Sequence, residues 1–182
     1  LCSNATAGVF TLAHTLAPEE SSVGFEPDLA FSNGAGLGAT LHYGRGITDE
    51  LNINAKVGGG DGPRRFRVGG GTSFDFFPDL ESQPGFGLGG QAMYWSLRNG
   101  SRVEFTANPY LHKRFHIRGT EIEPFAALPF GPGFGNGKSV LLTTFVMGAM
   151  IEGSSKLRYV GELGIAVQNT ETYISGGISF YP

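Results

Sequence analysis

Histidines are the residues of this chain best suited to acid–base or metal chemistry, and the chain has four of them. His112 and His116 lie four positions apart, a spacing that puts both on one face of a β-strand together with Glu104. His14 and His42 stand alone in the sequence. Neither a three-ligand metal site nor a Ser–His–acid triad follows from these positions. We therefore predict no catalytic residue, no metal site and no cofactor, with a lipid-modifying enzyme as the least favoured alternative.

Two glycine-rich stretches imitate nucleotide-binding motifs. Residues 85–90 have the G-x-G-x-x-G spacing, which binds a dinucleotide only when a strand precedes it and a helix follows it. Here Pro84 precedes the motif, and residues 91–95 continue a strand pattern. Residues 135–139 resemble a phosphate loop, but Pro132 stands where the first glycine belongs. We therefore predict no nucleotide site in either stretch and a tight hairpin at 135–139.

Composition excludes further classes of function. Of the 182 residues, 30 are glycine and only 16% are charged, and the net charge of −3 offers phosphate no cluster of cations. We predict no nucleic-acid partner. The single cysteine, Cys2, can form neither an internal disulfide nor a zinc site, although its place after Leu1 leaves open a lipoprotein site. The longest apolar stretch, 140–151, is shorter than the roughly 20 residues of a membrane-spanning helix.

Alternation of polar and apolar residues is the main structural signal. Across residues 103–115 the odd positions are apolar except for Lys113, and the even positions are polar, as in a strand whose two faces meet different surroundings. Turn signals such as Asn99-Gly100 and Asn136-Gly137 separate similar runs. The pattern predicts ten antiparallel strands near 22–32, 36–47, 50–60, 64–77, 84–97, 102–115, 120–131, 139–152, 156–168 and 172–181.

The apolar faces of these strands could point inwards, as in a soluble sandwich or a lipocalin-like barrel, or outwards to lipid. Three observations favour lipid: charges of both signs on the polar faces, aromatic residues near the strand ends, and strands of about 10–14 residues, long enough to cross a bilayer. We predict an all-β fold, a closed antiparallel transmembrane β-barrel of about ten strands over residues 21–182, with short loops on both sides. Residues 1–20 form an N-terminal segment, periplasmic or packed against the barrel.

The polar faces then line the lumen. Acidic and basic side chains are nearly balanced there, so we expect them to pair across the interior rather than line an open pore. A narrow ion-conducting path is the alternative. The predicted network consists of Glu26, Asp28, Asp75, Glu104, Glu121, Glu123 and Glu162 with Lys56, Arg65, Arg67, Arg114, Lys156 and Arg158.

The outer wall carries two unusual features. Gly70 and Gly90 point outwards and predict a smooth groove that contacts lipid or another subunit, unless they only relieve curvature. Strand 139–152 is apolar on both faces, so we expect one face to meet lipid and the other something dry, such as residues 7–16; alternatively, those residues form an extra strand at a subunit boundary. The outward face of that strand carries Leu141, Phe145, Met147 and Ile151.

The alternating pattern resembles the small outer-membrane β-barrels of Gram-negative bacteria. Residues 173–182 are similar to the aromatic-ended last strand that the barrel-assembly machinery reads in that family. Residues 67–71 and 74–79 resemble short-looped, porin-like barrels of predatory bacteria, some of which are oligomers that enclose lipid. The resemblance implies an outer-membrane location, with membrane lipid, copies of the same chain and the assembly machinery as partners. We therefore expect a non-enzymatic barrel with a structural or membrane-organising role. A small passive porin-like channel is the alternative.

Overall fold

The computed structural model describes residues 15–32, 35–61, 64–80, 83–98 and 100–182. All regular structure in these residues is extended, and no described helix is long and apolar enough to cross a membrane. The strands are β1 (Ser21–Ala30), β2 (Gly36–Gly46), β3 (Leu51–Gly60), β4 (Arg64–Phe77), β5 (Gly85–Leu97), β6 (Gly100–His112), β7 (Phe115–Ile117), β8 (Thr120–Ala127), β9 (Phe130–Gly135), β10 (Lys138–Ser154), β11 (Leu157–Gln168) and β12 (Tyr173–Phe180).

The strands form one antiparallel sheet that closes on itself. Strand β12 pairs with both β11 and β1, with Val23 opposite Phe180, so the sheet has no free edge at that seam. Strands β8 and β9 both pair with β6 on one side and β10 on the other, and together they make one wall strand interrupted at Leu128 and Pro129. The short β7 pairs with β8 alone in this sheet. The wall therefore has ten strands, and the predicted closed barrel is confirmed.

Side chains alternate between the two sides of the wall as the pattern predicted. In β1, Val23, Phe25 and Leu29 are exposed, whereas Glu26 and Asp28 are buried in the interior. A soluble sandwich or a lipocalin-like barrel would bury its apolar faces, so this orientation excludes both alternatives. Because hydrocarbon offers no hydrogen bonds, a closed sheet with an apolar exterior is the form in which strands cross a bilayer.

Short turns join the strands at each end. Asn136 and Gly137, with φ of 50° and 71°, connect β9 to β10, and Arg118 and Gly119, with φ of 53° and 84°, connect β7 to β8. Two successive positive φ values are typical of the tight hairpin turns that match strand twist. The predicted hairpin at 135–139 is therefore confirmed. We call the end at which β1, β3 and β5 begin the near rim, and the other end the far rim.

The described part of the N-terminal segment enters the barrel at the near rim. The hydroxyl of Thr15 donates a hydrogen bond to Asp75, and the N–H of Leu16 donates to Asn52 Oδ1 at 3.2 Å. The side chain of Leu16 is buried, and Pro18 forms a backbone bridge with Gly46. Residues 15 and 16 therefore fill part of the near mouth. Residues 7–14 of the predicted inner segment lie outside the described residues.

Strand β10 has the two apolar faces that the sequence indicated. Its inward residues Val146 and Met150 are buried in a small core with Tyr110, Phe125 and Val160, which come from β6, β8 and β11. The dry surroundings of the inward face are therefore the opposing side chains of the barrel itself.

Candidate functional site

The centre of the lumen contains a network of charged side chains, which we call the central network: Glu26, Asp28, Lys56, Arg67 and Glu162. The guanidinium of Arg67 on β4 donates to the carboxylate of Asp28 on β1, and these side chains are only 5% and 7% exposed. Strands β2 and β3 separate these two in the wall, so the pair crosses part of the interior. Arg67 also lies 5.6 Å from the ring centroid of Trp95.

The other members of the central network also have partners. The ammonium of Lys56 interacts electrostatically with the carboxylates of Glu26 and Glu162. The hydroxyl of Ser175 donates to Glu26 at 2.5 Å, and the hydroxyl of Tyr173 donates to Glu162. Because buried charges persist only when they are paired or hydrogen-bonded, these contacts explain how four strands can project ions into one interior.

A second buried ion pair lies on β6 towards the far rim. Arg102 forms an ion pair with Glu104, and the two side chains are 6% and 3% exposed. Glu104 was predicted to face the lumen, and Arg102 was not. The signal was present, because Arg102 has the same parity as Glu104, one residue before the alternating run at 103–115.

At the near rim, four buried residues make what we call the near-rim cluster: Asp75, Tyr110, His112 and Glu123. His112 Nδ1 lies 2.7 Å from Glu123 Oε1, so the imidazole N–H donates to that carboxylate. His112 Nε2 lies 3.7 Å from Asp75 Oδ2, and the hydroxyl of Tyr110 donates to Asp75 Oδ1. The cluster fixes an imidazole between two acids.

Partly exposed charges surround this cluster at the mouth of the barrel. Arg114 Nε lies 3.5 Å from Glu123 Oε2, and an Arg158 guanidinium nitrogen lies 3.2 Å from Glu121 Oε1. The guanidinium of Arg158 also stands 5.2 Å from the ring centroid of Tyr181. Burial raises the pKa of Tyr181 to about 12, so this phenol stays neutral and acts as a packing group. The described residues contain no group of three ligands able to hold a metal ion.

The two histidines that suggested an enzyme lie on one face but differ in burial. His112 is buried, whereas the His116 side chain is 75% exposed and lies 3.5 Å from Glu121. Strands β6 and β7 pair with β8 in one continuous register, with His112 opposite Phe125 and His116 opposite Glu121, so the alternation continues across Lys113 and Arg114. The predicted placement of His112, His116 and Glu104 on one face is therefore confirmed, but the three side chains do not form one site.

Asp79 contacts the two residues between β6 and β7. The ammonium of Lys113 donates to Asp79 Oδ1 at 2.6 Å, and the backbone N–H of Arg114 donates to Asp79 Oδ2 at 2.7 Å. Partial burial alone would raise the pKa of Asp79, but these two hydrogen bonds and the charge of Lys113 outweigh it and lower that pKa below its usual value.

Most of the predicted lumen residues do lie inside the barrel. Eight are buried, three lie partly exposed at the near rim, and two are exposed outside the network. Glu26, Asp28, Lys56, Arg67, Asp75, Glu104, Glu123 and Glu162 are buried; Arg114, Glu121 and Arg158 are at the rim. The prediction for Arg65 and Lys156 is wrong: Arg65 is exposed at a shift in the β4–β5 register, and Lys156 is exposed in the β10–β11 turn.

Sequence reasoning missed several neutral residues of the interior. Beside Trp95 and Tyr110, the lumen buries Asn52, Asn108 and Gln91, which bring amide donors and acceptors between the charges. Their inward parity was readable in the sequence, but a search confined to charged side chains passed over them.

The outer wall is apolar and contains a groove of about 520 Å³ where the sequence predicted a smooth groove. Gly70 and Gly90 both line it. The other predicted contact residues, Leu141, Met147 and Ile151, point outwards and are 42–49% exposed, while Phe145 is partly buried on the same face. Whether this wall contacts a bound lipid or another subunit stays a prediction.

Solved structures of other proteins resemble this barrel. No protein-family model and no curated protein matches the chain. An outer membrane channel from Pseudomonas putida has a similar structure, with a TM-score of 0.57 and 11% sequence identity over 93% of this chain and 98% of that one. The β domain of the Bordetella autotransporter BrkA is similar, with a TM-score of 0.55 and 10% identity over 91% of this chain and 99% of that one.

At these identities the likeness concerns the fold. The predicted resemblance to small outer-membrane β-barrels is confirmed at that level, and the closer likeness to barrels of predatory bacteria stays a prediction. The outer-membrane location predicted from the sequence agrees with that of the Pseudomonas channel. The chain has the fold of a closed, ten-stranded outer-membrane β-barrel.

Proposed function

We propose that this protein is a non-enzymatic, non-conducting β-barrel of the outer membrane, with a structural or membrane-organising role that it carries out through its outer wall. The wall contacts membrane lipid and copies of the same chain. One observation carries the proposal: the lumen is filled with paired charges and large buried side chains.

The packing of the lumen argues against an open pore. Large side chains fill the lumen: at most 2% of the surface of Trp95, Tyr110 or Val146 is exposed. The ion pair of Arg67 with Asp28 also lies inside the lumen, between β4 and β1. A ten-stranded barrel is only somewhat wider than the eight-stranded size that side chains fill. At the near mouth, Leu16 adds a further buried side chain. Ions crossing this lumen would have to break buried ion pairs, each at a cost of about 3–5 kcal/mol.

The outer wall is the surface left for function. The turns described at the two rims are short, whereas recognition of large soluble partners generally uses long loops. Exposed apolar side chains such as Phe105 and Leu141 cover the wall, and large apolar surfaces mark contact with membranes or other proteins. Strand β12 remains the predicted contact for the barrel-assembly machinery during insertion.

Two measurements test this proposal. Planar-bilayer recording of the purified barrel is expected to give no ion current, because the lumen is closed. Native mass spectrometry in mild detergent is expected to give an oligomer with retained lipid. Stable single-channel currents would refute the closed lumen, and a lipid-free monomer would refute the role of the outer wall.

A passive channel is the second candidate, because one structure with the same fold is described as an outer membrane channel. For this candidate, the residues at the near mouth would have to leave the lumen. Recording after Leu16→Gly and Thr15→Gly, which remove the two side chains placed in that mouth, addresses it. A current that appears only in these variants would favour a gated channel over a purely structural barrel.

A further inference from the structure

The groove on the outer wall is a shallow, open depression. Its floor is made of Gly70, Gly90 and their small outward neighbours on β4, β5 and β6. Along the strands, the pair Val68 and Tyr94 closes one end of this low region, and the pair Phe74 and Leu88 closes the other. Three residues on each of β4, β5, β6 and β9 line the depression, so it extends about 7 Å along the strands and about 14 Å across them.

One side of the groove is formed where β6 meets β9. The pairing of these strands covers Arg102–Glu104 and resumes at Ala107, opposite Phe130. Pro132 has no N–H to donate in the intervening stretch. Phe105 and Phe130 project beside the groove, and the ring of Phe105 packs edge-on against Phe134 with centroids 6.4 Å apart. The side wall therefore has an aromatic ring whose orientation is fixed by a neighbour.

The lining matches hydrocarbon. No charged residue lines the groove, and its side-chain hydroxyls come from Thr72 and Thr106. The groove lies midway along the strands and is continuous with the exposed apolar wall on all sides, so acyl chains are what the membrane presents to it. Its volume of about 520 Å³ falls within the range of small-molecule sites.

A second copy of the chain fits this groove less well. Twelve residues line the groove, compared with about 20–30 residues per side in a stable protein interface. A two-fold contact would also place one depression against its own copy and leave a void between them, and voids cost packing energy.

We propose that the groove binds part of one acyl chain of a membrane lipid, against the aromatic side wall and the glycine floor. This inference rests on the proposed function, because it makes one stretch of the lipid-contacting wall a specific site. The site recognises the chain and not a phosphate headgroup, since its lining offers no cation.

Photolabelling tests the site in the intact chain. The barrel is placed in nanodiscs containing phosphatidylethanolamine with a diazirine in the middle of one acyl chain, irradiated and digested with trypsin. Peptide 103–113, which contains Phe105 and Ala107, reports on the groove, and peptide 159–182 reports on another part of the wall. We expect clearly stronger labelling of peptide 103–113.

Gly90→Leu fills the groove, and Gly161→Leu is its matched control. A Cβ at Gly90 would meet only the Thr72 hydroxyl at 4.0 Å, and a Cβ at Gly161 would meet nothing within 4 Å, so the backbone accommodates both changes. Gly161 points outwards on β11, away from the groove. Gly90→Leu is expected to lower labelling of peptide 103–113 about tenfold, the effect of losing contact with about two methylene groups. Gly161→Leu leaves that labelling unchanged.

Ala92→Leu is a second filling variant and serves if Gly90→Leu fails to fold, as judged by its circular dichroism. Uniform labelling of the whole wall would overturn the specific site while leaving general lipid contact intact. An equal loss of labelling of peptide 103–113 in Gly90→Leu and Gly161→Leu would do the same. Weak labelling of peptide 103–113 together with a dimer in native mass spectrometry would assign the groove to a second copy and overturn the site as well. Absence of label from every peptide would refute both the site and the lipid-contacting role of the wall.

Discussion

Removing Arg67 should strongly destabilise the barrel. Arg67→Met keeps most of the side-chain length but removes the guanidinium that faces Asp28, whose carboxylate is only 7% exposed. Breaking a buried ion pair by removing one partner costs about 3–5 kcal/mol, because the remaining charge stays buried without its counterion. The cation–π contact with Trp95 is lost as well, and such contacts contribute about 0.5–2 kcal/mol. Since these terms overlap, we expect a loss of about 4 kcal/mol in the free energy of unfolding.

Urea unfolding of the barrel refolded into lipid vesicles measures this loss. Far-ultraviolet circular dichroism is the better signal, because Trp95 fluorescence changes directly when Arg67 is replaced. Arg65→Met is the control: Arg65 is exposed two positions away, so we expect a change within about 0.5 kcal/mol. In the double variant Arg67→Met with Asp28→Asn, both charges are gone, and at least half of the lost stability should return.

The result that would refute this reasoning is a loss of less than about 1 kcal/mol for Arg67→Met, the range of exposed ion pairs. Such a loss would mean that water reaches the pair and screens it. The lumen would then not be closed to water, because its closure depends on the same burial.

Three further predictions concern the ends and the wall of the barrel. The lowered pKa of Asp79 contributes stability that is fully present above its unfolded-state value of 3.8 and is lost as the pH falls through the lower folded-state value. The wild type should therefore have a higher urea midpoint than Asp79→Asn at pH 7, and this difference in midpoint should shrink below pH 3.8. In a Lys113→Met background, the difference in midpoint that Asp79→Asn causes should be smaller. Gly131→Ala places a Cβ 1.9 Å from a carbonyl oxygen of β6, so we expect a loss of about 1–3 kcal/mol in urea unfolding, whereas Gly161→Ala, with open space around its Cβ, should change little. Leu16→Ala removes a side chain buried in the near mouth, and a loss of about 2–5 kcal/mol in the same assay is expected; no loss would show that this side chain does not pack in the mouth.

The ten-stranded wall was predictable because a strand in a barrel has two different surroundings. Alternation such as Val23, Phe25 and Leu29 against Glu26 and Asp28 records those surroundings directly in the sequence. Charges of both signs on the polar faces, aromatic residues near the strand ends and the length of the strands then indicated which face was outside. Positions of turns followed from glycine and asparagine, whose backbones accept positive φ.

The candidate site was less predictable, because parity holds only while a strand stays regular. Arg65 lies at a register shift and leaves the lumen, and His116 keeps the parity of His112 but is exposed beyond the end of β6. Contacts between distant strands, such as Arg67 with Asp28, depend on barrel closure and stagger. Local alternation carries no information on either. The interruption of one wall strand between β8 and β9 was likewise not predicted, although Pro129 and Pro132 lie at or near it.

The pairing of β1 with β12 has a consequence for how the barrel closes during folding. Val23 lies opposite Phe180 in this pairing, so the hydrogen bonds that close the sheet join its first strand to its last. Forming them requires closing a loop that contains nearly the whole protein, a slow step for any polypeptide. Until that step, β1 and β12 expose rows of amide groups that other chains can pair with. A variant that weakens β12 should accordingly yield aggregates during biogenesis, even where its finished barrel is stable.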